Sequence, residues 1–521
     1  QAAKPNILVI WGDDIGTWNI SHNNHGMMGY QTPNIDRIAR EGAMFENAFH
    51  TTPLCSPNRA SILTGQYASR HGIIDNVARG AMSHRLPNYH LELQKLGYQT
   101  AHIGKWHMGN DGKPRPGYDF WVAYDGHGSL YDPKLNENGK YVQHKGYVTD
   151  IMNTMAVDWI KGQSRRKGKN ADKPWSLWFA HKAVHPDAEQ AADGSFKMDG
   201  YRPAKRHEHL YKGCIFPKKP NMQKPTEFLK HKPVWAEAVE LRKTEASKIM
   251  HDAIHSGKQE EIRLRAAMMA AVDEGVGMLF KTLEETGELD NTVILFLGDN
   301  GYFFGEHGLG PERRFPYEEG IRAPLIVRWP KSIKPGSEVR DLVILQDIAP
   351  TLLEIAGGKP GAHIQGRSLL PLIRGKRAGW RKSFLVEYWA ENAYPWLVGM
   401  SFRAIRTGRY KYIHWVNRAR NGELDELYDL EKDPFELINV AQKPAYAAVR
   451  KKMTRDLRGL AADALGLDVP QAAQGDPLHL AYFALAHVER WHVPTLAVAL
   501  LAAGLMLALR RWPRCAWSRC W

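Results

Sequence analysis

Apolar positions along this chain fall into two patterns. Unbroken apolar runs alternate with stretches in which apolar residues recur at helical spacing. Asn6-Ile7-Leu8-Val9-Ile10-Trp11 is the first run, and Trp175 to Ala180 and Thr292 to Leu297 resemble it. A run that is apolar at nearly every position predicts a strand covered on both faces, as in a parallel sheet. Tyr98 to Ile103 and Ala323 to Trp329 add two more strands, and a short one is expected up to Ala48. Helical spacing marks Asn34 to Gly42 after Pro33, Leu91 to Leu96 closed by Gly97, Asp150 to Lys161, Glu260 to Thr286 and Leu345 to Ala356. Strand and helix alternate throughout, which predicts an α/β fold: a large mixed, mainly parallel sheet sandwiched by helices.

Beyond Gly375 the spacing shortens. Arg403 to Trp415 reads as two short strands about Gly408, and Ala445 to Leu460 as a helix with Pro444 at its start. This predicts a smaller C-terminal α+β subdomain. The expected boundaries are 1–375 for the large part, 376–470 for the small one and 471–521 for an atypical tail. Ser195 to Val234, rich in Lys, Pro and His, reads as a long surface insertion: either a binding element or a solvated loop. In the tail, Val493 to Leu509 is apolar and uncharged, with Arg510-Arg511 after it. Its length is at the lower limit for a membrane anchor. The alternatives are a packed helix or a segment foreign to the rest. An anchor there would leave the C-terminus in the cytoplasm and the remainder outside.

At 521 residues the chain exceeds one ordinary core, so a large domain with a smaller partner is expected. Hydrophobic residues at 43% and charged residues at 24% are a soluble, globular balance. The net charge of +14 favours anionic partners. No zinc-finger spacing, RNP signature or basic heptad helix is present, which argues against nucleic acid. An anionic small molecule or a sulfated polymer suits the charge. Four cysteines, Cys55, Cys214, Cys515 and Cys520, make no disulfide framework, and nothing argues for pairing Cys55 with Cys214. Gln1 in place of an initiator methionine suggests processing or trimming.

The chemistry gathers where strands end. Asp13-Asp14 follow the first run, and Gly298-Asp299-Asn300-Gly301 follow the run that begins at Thr292. Open α/β sheets bind ligands at the carboxyl ends of their strands. Asp13, Asp14, Asp299 and Asn300 are hard oxygen donors, which favour Ca²⁺ or Mg²⁺. Gly104-Lys105-Trp106-His107 leaves another strand, and His181 and His185 leave a third. His307, Arg313-Arg314 and the string Tyr317 to Arg322 come later. The remaining feature is Cys55-Ser56-Pro57-Asn58-Arg59-Ala60-Ser61-Ile62-Leu63-Thr64-Gly65. Pro57 fits the first turn of a helix, which places Cys55 at the positive end of that helix beside Arg59. Both features are expected to lower the thiol pKa. A lone cysteine is more often a buried structural residue.

The Cys55 string resembles the signature of type I sulfatases, Cys-x-Pro-x-Arg followed by Leu-Thr-Gly. Gly104 to His107 matches the Gly-Lys-Trp-His string of the same family. The resemblance runs from residue 4 to residue 465. It implies an alkaline phosphatase-like fold. It implies that a formylglycine-generating enzyme converts Cys55 to Cα-formylglycine, whose hydrate attacks sulfur. It implies Ca²⁺ on Asp13, Asp14, Asp299 and Asn300, with Mg²⁺ as the alternative, and a role for Asp299 in deprotonating the attacking hydroxyl. Arg59 would steady residue 55, and Lys105 and His107 would neutralise the sulfate. His185 would protonate the leaving oxygen, with His181 as its rival. His307 would contact sulfate or simply pack. Where the family often has a lysine, this chain has Arg313, or Arg314 in a shifted register. Arginine binds sulfate but is a poor proton donor, which leaves His185 as the sole acid.

The implied activity is hydrolysis of a sulfate monoester on a sulfated sugar or glycan, of the glycosaminoglycan type. The alternatives are a phosphonate or phosphate ester hydrolase of the same superfamily, and a non-catalytic binder of sulfated glycans. The implied location is periplasmic or secreted.

Overall fold

The apolar runs become the middle of a ten-stranded sheet. The computed structural model describes residues 3–24, 31–76, 83–165, 173–190, 196–222, 225–236, 259–309, 313–389, 401–416 and 423–465. Five strands carry the site: β1 (Asn6–Gly12), β2 (Gln99–Gly104), β3 (Phe120–Ala123), β4 (Trp175–Ala180) and β5 (Thr292–Gly298). They lie side by side as β5-β1-β4-β2-β3, every pair parallel. Every residue of β1, β4 and β5 is buried, as unbroken apolar runs require.

The edges make the sheet mixed. Leu325–Arg328, expected as a strand, pairs antiparallel with β5, and Ala43–Phe45 and Ser337–Val339 extend that edge. Lys134–Glu137 and Lys140–Gln143 extend the other edge beyond β3.

Six helices matter here: α1 (Pro33–Arg40), α2 (Cys55–Thr64), α3 (Val148–Ser164), α4 (Gln259–Glu285), α5 (Ile348–Ile355) and α6 (Ala447–Leu465). Side chains alternate across β1, so its two faces feed two cores. Leu8 and Ile10 pack with apolar residues of α1, α3 and α4. Ile7, Val9 and Trp11 pack with those of α2 and α5. The helix expected from Leu345 opens with a 3₁₀ turn over Leu345–Asp347 before α5.

The second sheet is antiparallel and four-stranded: Ser383–Tyr388, Phe402–Thr407, Tyr410–Trp415 and Glu426–Asp429. Its middle pair is the expected hairpin about Gly408. Met453 and Leu457 of α6 share a core with this sheet, and so do Phe49, Phe303 and Tyr317. The described residues, up to Leu465, belong to one unit.

The expected surface insertion is pinned more firmly than its composition suggests. Its first strand, Phe196–Gly200, pairs antiparallel with Asp187–Gln190, which lies just ahead of it. Lys219, Asn221, Lys232, Val234 and Trp235 are then buried. Cys55 and Cys214 are both free, the first buried and the second exposed. Among the described residues no helix is long and apolar enough to cross a membrane. The segment Val493 to Leu509 lies outside the described residues.

Candidate active site

Strand register explains why distant motifs meet. Gly12 of β1 lies beside Gly298 of β5, so the next residues, Asp13 and Asp299, leave the sheet side by side. Ala180 of β4 lies beside Trp11 of β1 and Gly104 of β2, so Lys105 leaves at the same level. At Gly104 φ is +119°, and a Cβ there would stand 1.9 Å from the Ala180 carbonyl oxygen. Only glycine lets the chain turn out so close to its neighbour. The thiol comes from the first residue of α2.

Asp13, Asp14, Asp299 and Cys55 form one buried group whose candidate donor atoms all lie within 4.8 Å of one another. Cys55 Sγ is 3.8 Å from Asp13 Oδ1. Asp14, with φ of +59°, donates its backbone N–H to Asp299 Oδ1 at 3.0 Å. Asn300 Nδ2 donates to Asp14 Oδ1 at 2.8 Å. Three cations border the acids. Arg59 Nε donates to Asp299 Oδ2 at 2.9 Å, and its Nη1 to the Lys105 carbonyl at 2.6 Å. Lys105 Nζ pairs with Asp13 Oδ2. Arg313 Nε lies 3.2 Å from Asp14 Oδ1, so of the two adjacent arginines Arg313 reaches the acids.

Two oxygens in this group, Asp14 Oδ2 and Asn300 Oδ1, are buried without a hydrogen-bond partner. Burying an unmatched acceptor costs about 1–3 kcal/mol. Three carboxyls and an amide, all oxygen donors and two of them with unused lone pairs, fit a hard divalent cation.

Burial reverses one expectation. Cys55 does begin a helix near Arg59, yet its thiol pKa is raised, not lowered, because desolvation outweighs Arg313 and Lys105. Arg59, moreover, is engaged by Asp299. Burial also raises Asp13, against Lys105 and with the help of Asp299.

The histidines separate clearly. Burial, with Lys105, Lys182 and Arg313 nearby, holds His185 well below its usual value. Its Nδ1 faces the Pro186 carbonyl at 2.8 Å, and its Nε2 is buried without a hydrogen-bond partner. His181 is pushed down to about 3 by burial alone, its ring packs on Phe179 with centroids 4.3 Å apart, and both of its ring nitrogens are, like His185 Nε2, buried without a hydrogen-bond partner. The site cations that surround His185 thus do not act on His181. His107 has φ of +54°, and its carbonyl accepts from Ser56 Oγ. His307 stands elsewhere. Its ring meets Asn221, Glu319 at 3.3 Å and Tyr317, at the edge of the C-terminal sheet core.

Two residues of the site were not read from the sequence. His127 and Lys182 are buried beside Lys105 and His185. A signal was present for His127, which sits between two glycines after β3, as Gly126-His127-Gly128. Lys182 lay unremarked between the two histidines that drew attention.

The sequence relatives are sulfatases, while the structural neighbours also include phosphonate monoester hydrolases, at 23% and 19% identity with TM-scores of 0.67. The family model described as Sulfatase matches residues 5–358, and that described as N-sulphoglucosamine sulphohydrolase, C-terminal, matches residues 305–463. The chain is 33% identical to N-acetylglucosamine-6-O-sulfatase of Bacteroides thetaiotaomicron, over 87% of this chain and 85% of that protein. It is 30% identical to choline-sulfatase of Rhizobium meliloti, over 87% and 86%. A solved structure of a protein in complex with its substrate, D-glucosamine-2-N,6-O-disulfate, aligns with a TM-score of 0.73 at 30% identity. That alignment covers 91% of this chain and 100% of the other.

Proposed function

The chain belongs to the sulfatase family and is a sulfuric ester hydrolase, and on that premise we propose that its substrate is a sulfated sugar, of the 6-O-sulfated, N-substituted glucosamine kind. The observation that carries this is the convergence of Cys55, Asp13, Asp14 and Asp299 in one buried group with Lys105, Arg59 and Arg313 around it. The named substrates of two relatives at 30% identity or above supply the sugar. The same relatives support sulfate over phosphonate, and the complete residue set argues against a silent glycan binder.

In this reading Cys55 is converted to Cα-formylglycine by a formylglycine-generating enzyme. That conversion supplies an oxygen nucleophile where a buried, protonated thiol would be a poor one. Asp13, Asp14, Asp299 and Asn300 would hold a divalent cation, Ca²⁺ or Mg²⁺, which when bound would supply Lewis-acid polarisation of the sulfate. The remaining roles belong to side chains. Arg59 fixes Asp299 and steadies residue 55. Lys105, His107 and Arg313 hold sulfate oxygens, and Asp299 accepts a proton from the attacking group. His185, through Nε2, hands a proton to the leaving oxygen, for which it must enter the reaction as imidazolium; an anionic substrate favours that form. His307 serves packing, and His181, whose two ring nitrogens are buried without partners, is the rival for the acid role. The enzyme works in the periplasm or outside the cell.

The test is sulfate release from N-acetylglucosamine 6-sulfate, with mass measurement of the Cys55 peptide. Turnover and a peptide roughly 18 Da lighter than the thiol form, a change outside the usual oxidation ladder, are expected. Turnover by a protein whose Cys55 is entirely unmodified rejects the nucleophile. Asp299→Ala should lose bound metal by elemental analysis, and retained metal would reject the donor set.

A further inference from the structure

His127 has no place in the roles above, yet it sits at their centre. It is 3% exposed and is presented by Gly126 and Gly128, whose φ angles are +53° and +62°. A Cβ at Gly128 would stand 2.4 Å from the Tyr124 ring, so this turn admits little else. The imidazole of His127 stacks on that of His185, with centroids 4.3 Å apart and planes 16° apart. His107 lies against it, with centroids 4.2 Å apart and planes inclined at 50°. Its Nδ1 is 3.3 Å from Lys105 Nζ.

The backbone is held as closely as the ring. Lys182 Nζ donates to the His127 carbonyl at 2.9 Å and to the Pro186 carbonyl at 3.0 Å. The Pro186 carbonyl also faces His185 Nδ1. One buried ammonium therefore ties the turn that carries His127 to the turn that carries His185. An imidazole can rotate about two side-chain bonds. The Pro186 carbonyl restrains the ring at one point, and a flat neighbour stacked on its face restrains the plane. Together the two restraints fix the direction of Nε2.

We propose that His127 is a positioning residue: by stacking it holds the His185 ring in the plane that aims Nε2 at the leaving oxygen, while Lys182 keeps the two turns in step. The proposal rests on the sulfate-ester reading and on the acid role of His185. It predicts an effect confined to substrates that need the acid. A sugar sulfate leaves as a poor alkoxide and needs protonation, whereas a nitrophenyl sulfate does not.

The experiment measures kcat and KM for N-acetylglucosamine 6-sulfate and 4-nitrophenyl sulfate in wild type, His127→Ala and His127→Phe. His127→Ala should lower kcat on the sugar by roughly 10- to 100-fold, the scale of a small misplacement of a reacting group. Its kcat on the nitrophenyl ester, which shares the sulfate contacts of Lys105 and His107 but not the need for an acid, should fall far less. His127→Phe keeps a flat ring in the same slot and should recover most of the sugar rate. Equal losses on both substrates, or a Phe variant no better than Ala, would overturn the positioning role. If His127→Ala does not fold, the Phe variant decides alone: a selective loss on the sugar as large as that of His185→Ala rejects stacking. A wild-type enzyme that hydrolyses neither ester sinks the sulfate-ester reading itself, and the role of His127 with it.

Discussion

Two regions of this protein bury charge, and they do so in opposite ways. At the C-terminal sheet, Lys411 lies 2.9 Å from Glu318 and 2.7 Å from Glu436, and Arg406 lies 2.9 Å from Glu318. Lys232 Nζ donates to the Tyr428 hydroxyl at 2.5 Å and stands 3.9 Å above the Tyr317 ring. At the strand ends, by contrast, three carboxyls and a thiol converge and leave two oxygens without partners. The two carboxyls that summarise this contrast are Glu318 and Asp13. Burial pushes both upward. At Glu318, Arg406, Lys411 and Arg322 more than reverse it, and the group ends well below the usual 4.5. At Asp13, Lys105 does not, and the neighbouring Asp299 adds to the rise. The first region pairs each charge with an opposite one and joins pieces of the fold, although Lys411 Nζ, Glu436 Oε1 and Arg406 Nη1 make no hydrogen bond. The second is electrostatically incomplete, which is the condition under which a protein binds something else.

The widest separation between the two regions should come from Cys55→Ala. Turnover should fall by on the order of 10⁴ or more, as when a covalent nucleophile is removed. The melting temperature should move by no more than a few degrees. A variant that keeps substantial sulfatase activity, or that unfolds, would erase the contrast from the active-site side.

Lys411→Met attacks it from the other side. Glu436 and Glu318 would lose a cation inside the protein, at a cost of about 3–5 kcal/mol. Thermal or denaturant unfolding measures that loss. The protein that remains folded should keep its wild-type kcat/KM, and a large fall there would mean that this network serves catalysis directly.

His185→Ala sharpens the comparison within the active region. The loss of kcat/KM on a sugar sulfate should be roughly 100-fold, and on nitrophenyl sulfate far smaller. Arg313→Lys should be tolerated. Equal losses on the two esters in His185→Ala would point to sulfate binding instead of acid catalysis.

The smallest effect is one of pH. Glu318 has a folded pKa below its unfolded one, so its stabilisation is complete above about 4.5 and is lost as pH falls toward the folded value. Glu318→Gln should cost roughly 2 kcal/mol at neutral pH, the scale of a hydrogen bond to a charged group. The gap from wild type should close as pH drops below 4.5. A gap that stays constant with pH would show that the carboxylate charge is not what the network uses.

Much of this was legible from the chain alone. The apolar runs determined β1, β4 and β5, because a strand covered on both faces is built almost wholly of apolar side chains. The residues just past β1 and β5 determined the acids, and those just past β2 determined Lys105, since a strand must deliver its next residue to the end of the sheet. The Cys55 string determined the family. What required the tertiary structure was every property set by surroundings. Cys55 was expected to be acidified by a helix end and by Arg59. The fold instead removes water from the thiol and commits Arg59 to Asp299, and desolvation is a property of distant chain. The same holds for the histidines. His181, His185 and His307 are equally plausible as letters, but only the fold surrounds His185 with Lys105, Lys182 and Arg313. It leaves His181 against Phe179 and sends His307 to Tyr317. His127 and Lys182 went unread for the same reason: neither belongs to a local pattern strong enough to mark it. Their place at the site arises only where separate segments close over one another and exclude solvent.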